Sequence, residues 1–531
     1  MTKFIFITGG VISSLGKGIA SASIGRLLKK RGLKVFNQKF DPYLNIDPSK
    51  MSPLQHGEVF VTDDGHEADL DLGHYERFEN VNLNRTSNIT SGRIYSTILE
   101  KERQGKYGGK TVQFIPHVTN EIKDRIKAAA KTSGADVVIT EIGGTVGDIE
   151  SLPFIEAIRQ CRHEFGYENT MYIHITLVPL LRANGEIKTK PTQQSVNTLR
   201  GYGISPDMLI LRSENDIPKS EREKIAMFCG VTPDNIILAK DVPIIYGIVP
   251  LFKKQKIDDQ ILKRFNLEVT QDDGTEDWED LVKRISKLKD EVTIGLVGKY
   301  VELHDCYLSA SEALKHAGFK LNKKVNIKWI LSDSLNNENI KETLEDVSGL
   351  LVSGGYGEKN DEGIVLALNY ARTNNVPLLA INLGAQLMAI EFARNVLNID
   401  DAGIQDLDEN ISNPVIARLP EKYKGIKLYN DMRLGLFDCA IEENSITYSC
   451  YNSDLISERH RHNYEFNNLY KEQFVENGLV PVGINPKTGL VEIFELKEHP
   501  FYIGVMFHPE FRSRVLKPHP LFLKLIEIAS K

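Results

Sequence analysis

Pro377-Leu378-Leu379-Ala380-Ile381-Asn382-Leu383-Gly384-Ala385-Gln386 reads as a short buried strand, a sharp turn and the start of a helix. In an open α/β domain this sequence of elements lifts one side chain over the sheet. Backbone N–H groups of the new helix then face the carbonyl that the side chain attacks. The residue expected at the elbow is a thiol. It is Asn382, and an amide is no nucleophile. Val352-Ser353-Gly354-Gly355, another strand end with a Gly turn, and Phe507-His508-Pro509-Glu510-Phe511 belong to the same arrangement. This half of the chain therefore reads as a catalytic site without its attacking atom, and the question of function passes to the other half.

Around that elbow, Val292–Tyr300, Val325–Ile330, Gly349–Val352 and Pro377–Ile381 are apolar runs separated by helical spacing, which predicts an open parallel α/β sheet. The stretch Glu268–Asp290 is acidic and polar and carries a turn at Gly274, so it is expected to be a linker or connecting helix. The division expected is a first domain over 1–267, a linker over 268–290 and a second domain over 291–531. Both domains are expected to be doubly wound and mostly parallel.

The first domain opens on the apolar run Lys3–Thr8, then Gly9-Gly10-Val11-Ile12-Ser13-Ser14-Leu15-Gly16-Lys17-Gly18, then helical spacing over Ile19–Arg31. Strand, Gly-rich loop, Lys and helix form a phosphate cradle, in which N–H groups and the helix N-terminus face an anion. The first Gly is one residue off the usual spacing, and Gly18 stands where a Ser or Thr would help to hold Mg²⁺. Metal must then be held by carboxylates. The stretch from Gln55 to Arg77 packs acids, His and Arg with little hydrophobic periodicity, and Asp136–Glu141 is a strand ending in an acid. Both suit Mg²⁺ and phosphate chemistry beyond the carboxyl edge of a sheet. Lys188-Thr189-Lys190-Pro191-Thr192-Gln193 puts two Lys and two hydroxyl-bearing residues ahead of a helix, which suits a triphosphate. Lys224 on a helix and Lys240-Asp241-Val242 at the end of an apolar run are weaker signals of the same kind.

Length and composition agree with a globular protein of two or three domains: 531 residues, 41% hydrophobic and 26% charged. A net charge of −7 argues against a general nucleic-acid binder. Five scattered Cys with no CxxC pair argue against a disulfide framework or structural zinc. With no signal-like start and no apolar run of membrane-spanning length, the expected location is the cytoplasm.

Gly9–Gly18, Lys39–Tyr43, Ser52–Val61, Asp69–Phe78, Gly143–Ser151 and Lys188–Gln193 together resemble the CTP synthase family over essentially the whole chain. The last two-fifths, with Arg459-His460-Arg461-His462 and Phe507–Phe511, resembles that family's class I glutamine amidotransferase domain. The resemblance implies a ligase in which ATP phosphorylates the 4-oxygen of UTP and ammonia displaces the phosphate to give CTP. It places Ser14, Leu15, Gly16, Lys17, Gly18, Ile19, Asp241 and Val242 at ATP, Lys39 at the transferred phosphoryl group, and Asp71 and Glu141 on Mg²⁺. Ser13, Lys188, Thr189, Lys190, Pro191, Thr192, Gln193 and Lys224 are implied at UTP. Asp148, Ile149 and Glu150 are implied at the CTP feedback site, and His56 at the ammonia entrance. A homotetramer, filaments in some members, and activation by GTP are also implied.

In the same alignment the family has Cys where this chain has Asn382. The glutamine-pocket positions are Gly355, Leu383, Gly384, Ala385, Gln386, Asp406 and Asn463. Ala380 and Ala385 replace a common Gly and Met, Lys359-Asn360 replaces Arg-Gly, Asn463 replaces the Arg that pairs with the glutamine carboxylate, and Asp406 replaces a Glu. His508 and Glu510 remain. Loss of a buried Arg–carboxylate fork costs roughly 2–5 kcal/mol, on top of the missing nucleophile. The expectation is a CTP synthase working from free ammonia. The alternatives are glutamine use by another route, a second half reused as a regulatory or partner-binding module, and a first half acting as a switch ATPase. The UTP-type loop Lys188–Gln193 argues against the last.

Overall fold

The computed structural model describes residues 1–181, 185–269, 271–353, 355, 361–405, 411–418 and 432–531. They form two compact units, Met1–Pro48 with Asp71–Lys283, and Ser49–Leu70 with Arg284–Lys531.

The first unit is built on seven strands, every neighbouring pair parallel. Their spatial order is Ile236–Lys240, Met208–Ser213, Thr170–Leu177, Lys3–Gly9, Val137–Ile142, Val35–Asp41, Asn88–Thr90. The central strands are buried on both faces, which is why they read as continuous apolar runs. The chain first winds to one side of Lys3–Gly9 and then to the other, so the loop after that strand lies at the switch point, beyond the carboxyl ends. The helix Lys17–Lys30 follows, ending on Lys29 and Lys30, charges that suit a helix C-terminus.

The stretch expected as a linker carries the helix Glu276–Ile285. Trp278 in it is only 1% exposed. It packs on Phe78 and Tyr246 under Arg26, whose guanidinium also pairs with Asp277 at 2.6 Å. This segment thus holds the outer side of the phosphate-loop helix.

Beneath the same helix lies Glu79, the last residue of the helix Asp71–Glu79. Its Oε1 accepts from Asn37 Nδ2 at 2.6 Å. Burial pushes this carboxyl from 4.5 up to about 8, against the opposing pull of Lys29 and Arg26. Because the folded-state value lies above the unfolded one, the contribution to stability is full below pH 4.5 and declines as pH rises towards 8. Glu79→Gln keeps the acceptor and removes the titration. Its melting temperature is expected to exceed the parent's by several degrees at pH 8–9, with no gap at pH 4.5, for a maximal difference of roughly 3–5 kcal/mol. Thermal unfolding across that pH range checks this.

The second unit has a nine-stranded sheet. Lys324–Leu331, Glu291–Gly298, Gly349–Val352 and Leu378–Ile381 are parallel neighbours, as the sequence predicts, and Tyr502–Val505, which the sequence reading did not include, adds a fifth. Val491–Leu496, Leu479–Ile484, Arg433–Ile441 and Leu455–His462 extend the sheet as an antiparallel meander. That extension was not read from the sequence.

Ser49–Leu70, which the sequence places inside the first domain, belongs to this second unit by its contacts. Glu58 accepts from the backbone N and Oγ of Ser309, capping the helix Leu308–Leu321. Asp63 pairs with Arg459 at 2.6 Å and Glu67 with Arg461 at 2.8 Å. Phe60 packs on Phe511.

Candidate functional site

In the first unit the loop between Gly9 and Lys17 is held in a demanding conformation. Val11 at φ 85°, Ser14 at φ 56° and Gly16 at φ 86° all lie in the left-handed region. A β-branched residue there is costly and is tolerated where surrounding structure imposes it, typically at functional loops. Arg212, at the end of Met208–Ser213, donates to the Ser14 carbonyl at 2.8 Å and to Asp241 at 3.2 Å. It thereby links two segments expected at ATP. Arg212 carried no signal in the sequence beyond its place at a strand end.

Lys17 is buried, and its Nζ donates to the Gly144 carbonyl at 2.8 Å. Burial lowers its pKa, opposed by the nearby Glu141. Lys39 sits among three carboxylates. It pairs with Asp71, and its Nζ lies 3.4 Å from Glu141 and 3.7 Å from Asp41. Glu141 also accepts from Tyr75 Oη and Ser21 Oγ. Burial raises the Glu141 pKa, with Lys39 opposing. Asp41, Tyr75 and Ser21 join the residues that the sequence singled out.

Gly18 explains the departure from the usual phosphate loop. A Cβ at this position would lie 2.1 Å from Asp71 Oδ1 and 2.8 Å from its Cγ. The carboxylate of Asp71 fills the space that a Ser or Thr side chain needs. Asp71 and Glu141 converge on one ammonium, and their donors are all oxygen. This fits Mg²⁺, which takes one or two carboxylates and completes its shell with water and phosphate. Among the described residues no group of three or more His, Cys, Asp or Glu is arranged to hold a metal without such help.

The helix Lys190–Gly201 brings the second loop to the same sheet. Thr189 and Thr192 are buried, Lys190 is exposed, and Gln193 donates to Thr189 Oγ1 at 3.2 Å. Lys188 pairs with Glu186 at 2.7 Å. Ser13 and Asp148, Ile149 and Glu150 are exposed, the last two in a single 3₁₀ turn. Lys224 lies on the helix Lys219–Cys229 with Glu221 at 3.5 Å. Val242 directly follows Asp241. His56 lies in the second unit, 3.5 Å from Asp69.

In the second unit Asn382 joins Leu378–Ile381 to the helix Leu383–Asn395 with φ 52° and ψ −109°. The elbow is therefore sharp and strained, as the sequence predicts. Gly384 packs directly on Val352, where a Cβ would lie 2.5 Å from the carbonyl oxygen. Asn382 Nδ2 lies 3.0 Å from the Arg461 carbonyl, which can only accept, so this atom is the amino group. The same Nδ2 donates to His508 Nε2 at 2.7 Å. With Nε2 accepting, Nδ1 carries the proton and donates to Glu510 Oε1 at 2.7 Å. The imidazole lone pair that would serve as a base is thus taken by the Asn382 amide.

Alternation along Leu455–His462 explains the motif Arg459-His460-Arg461-His462. Arg459 and Arg461 pair with the acids of Ser49–Leu70. His460 and His462 turn to the other face and contact each other at 3.0 Å. There Arg433 pairs with Glu465 and Glu492. Burial beside Arg433 drives both imidazoles neutral, His462 down to about 3. Gly355 lies against Lys299, whose Nζ pairs with Asp361 at 2.5 Å. Gln386 is buried and donates to the Tyr464 carbonyl, and Asn463 is exposed. Lys359, Asn360 and Asp406 lie outside the described residues.

A lysine-bearing phosphate loop over paired carboxylates, followed along the chain by an elbow backed by a His–Glu pair, is the layout of C–N ligases that carry a class I glutamine amidotransferase domain. Comparison with known proteins makes that class specific. Residues 3–267 match the family described as CTP synthase N-terminus, and residues 302–528 match glutamine amidotransferase class-I. A CTP synthase of Staphylococcus carnosus is 54% identical over 531 residues, spanning 100% of this chain and 98% of that protein. One of Clostridium acetobutylicum is 52% identical over 528 residues, spanning 99% and 98%. A solved glutaminase domain of Trypanosoma brucei CTPS is 31% identical and covers 45% of this chain and 93% of its own, with a TM-score of 0.42. The chain belongs to the CTP synthase family. That family joins a nitrogen to UTP at the expense of ATP, with Mg²⁺, and is inhibited by CTP. No helix among the described residues is long and apolar enough to cross a membrane.

Proposed function

We propose that this protein makes CTP from UTP, ATP and free ammonia, and that its amidotransferase-like unit does not hydrolyse glutamine. The observation that carries the second part is the Asn382 amide bonded to His508 Nε2 at 2.7 Å. A side chain that cannot attack a carbonyl stands at the elbow and also engages the base.

In the first unit the UTP 4-oxygen attacks the γ-phosphorus of ATP, and ADP leaves. Ammonia then adds to C4, loses a proton, and expels phosphate. Lys17 holds the ATP phosphates, with Ser14–Ile19, Asp241 and Val242 around the nucleotide. Lys39 stands at the transferred phosphoryl group, where its charge matches the spreading negative charge. Asp71 and Glu141 hold Mg²⁺, which when bound offsets charge on the phosphate oxygens. Ser13, Lys188–Gln193 and Lys224 bind UTP, Asp148–Glu150 bind CTP, and His56 lies on the ammonia route. Tyr75 and Ser21 orient Glu141. A homotetramer is the expected assembly.

The test is CTP formation from UTP, ATP and Mg²⁺ with ammonium chloride or with glutamine as nitrogen source. The expected result is activity with ammonium and a rate at least about 10³-fold lower with glutamine. Comparable rates with both would overturn the ammonia-only reading. No activity with either would overturn the assignment of a working ligase.

A further inference from the structure

His174 is fully buried in the strand Thr170–Leu177, next to Lys3–Gly9, and has no part in the reading above. We propose that His174 is a positioning residue for CTP formation: its imidazole bridges the phosphate loop and the helix that carries the UTP-binding side chains, and fixes the distance between the two substrates. This rests on the reading of Lys188–Gln193 as the UTP site.

Thr8 and His174 are register partners on adjacent parallel strands. Thr8 Oγ1 lies 2.8 Å from His174 Nδ1. Thr8 is the second residue before Gly10, so this contact anchors the start of the phosphate loop. The other ring nitrogen, Nε2, lies 2.9 Å from Ser195 Oγ on the helix Lys190–Gly201. The loop backbone lies against this pair. A Cβ on Gly10 would come within 1.7 Å of Ser195 Oγ and 3.2 Å of His174 Nε2.

A second rung repeats the contact. Thr176, two residues along the strand and therefore on the same face, meets Thr192 Oγ1 at 3.0 Å. Thr192 and Ser195, three apart, share one helix face. Strand and helix are thus joined by two polar rungs at a place where apolar side chains would also seal the core. Apolar contact holds elements together but tolerates sliding; buried hydrogen bonds do not, because a shift leaves polar atoms unpaired. Burial, with Lys17 nearby, pushes the imidazole down to about 3, so it stays neutral and keeps one donor and one acceptor at physiological pH.

In-line phosphoryl transfer from ATP to the UTP oxygen depends on the spacing of two separately bound substrates. A 1 Å error in such spacing costs rate and leaves each separate affinity largely intact. His174→Leu and Ser195→Ala, assayed with ammonium, are expected to lower kcat by about 10- to 100-fold while KM for UTP and for ATP each change less than about threefold. Because both cut one bridge, the double variant should be no slower than the slower single variant. His174→Gln, which can still donate and accept, should recover most of the loss. Lys190→Ala serves as the independent check of the UTP reading and should raise the UTP KM. An unchanged UTP KM in that variant removes the premise but leaves the kcat comparison readable. The proposal is overturned by full kcat in soluble Ser195→Ala, by losses that multiply in the double variant, or by His174→Gln no faster than His174→Leu. If His174→Leu does not fold, Ser195→Ala and His174→Gln decide the matter.

Discussion

Gly18→Ser, which would give this loop the Lys-Ser ending of the usual phosphate loop, is expected to lower CTP formation with ammonium by at least about 10²-fold. In most phosphate loops that hydroxyl helps to hold Mg²⁺. Here the added Cβ alone would lie 2.1 Å from Asp71 Oδ1. The helix backbone cannot retreat, because it is packed between the sheet and the helix Asp71–Glu79, so the Asp71 carboxylate must move. It would leave its pairing with Lys39 and its convergence with Glu141. A conventional residue is therefore harmful in this setting, and loop and carboxylate have to change together. Steady-state CTP formation across a Mg²⁺ titration is the measurement. A rate within about threefold of the parent would show that Asp71 is not needed where it stands.

The second large effect is a gain. Asn382→Cys should create one fast-reacting thiol. The elbow backbone is already in place, and His508, held by Glu510, lies within reach. A thiol beside such a pair forms its thiolate at neutral pH, against an ordinary pKa of about 8.5. The background is low. Cys161, Cys229 and Cys439 are buried, and burial raises the Cys450 thiol to about 12. Labelling by iodoacetamide at pH 7, followed by mass spectrometry, should show one residue reacting about tenfold or more faster than any cysteine of the parent. Glutamine hydrolysis should remain slow in this variant, because Asn463 offers no fork to the substrate carboxylate. Asn382→Cys with Asn463→Arg should exceed Asn382→Cys alone by roughly 10²-fold. Cys306, the remaining cysteine, is half-buried with its Sγ 3.2 Å from the Pro53 carbonyl, and an introduced thiol no more reactive than it would mean that the dyad does not activate the elbow.

Much of the first unit was legible because parallel strands buried on both faces leave continuous apolar runs, and because a phosphate loop is local in sequence. The absence of a hydroxyl after Lys17 led to carboxylates elsewhere, and the collision between residue 18 and Asp71 gives that inference a steric basis. His174 and Ser195 were silent, since a buried His and a helix Ser look ordinary until the fold brings them to 2.9 Å. Trp278 was hidden in an acidic stretch, where it and Leu281 are the two buried residues of the helix Glu276–Ile285. Ser49–Leu70 could not be assigned from sequence for a different reason. Its anchors are ion pairs rather than apolar periodicity, and the partner of Asp63 lies 396 residues away.

That last segment bears on how the two units of the chain depend on each other. The chain passes from one unit to the other at Pro48–Ser49, at Leu70–Asp71 and at Lys283–Arg284. A gene shortened at the last crossing would still encode Ser49–Leu70, now with Phe60 and Val61 bared to water and with Glu58, Asp63 and Glu67 stripped of their partners. The loose segment would end directly at Asp71. Deletion of the second half as a single step would therefore leave a damaged first half, whereas substitutions inside its pocket would not. A domain interleaved in this way is tied to its neighbour by the chain itself, whatever its pocket does.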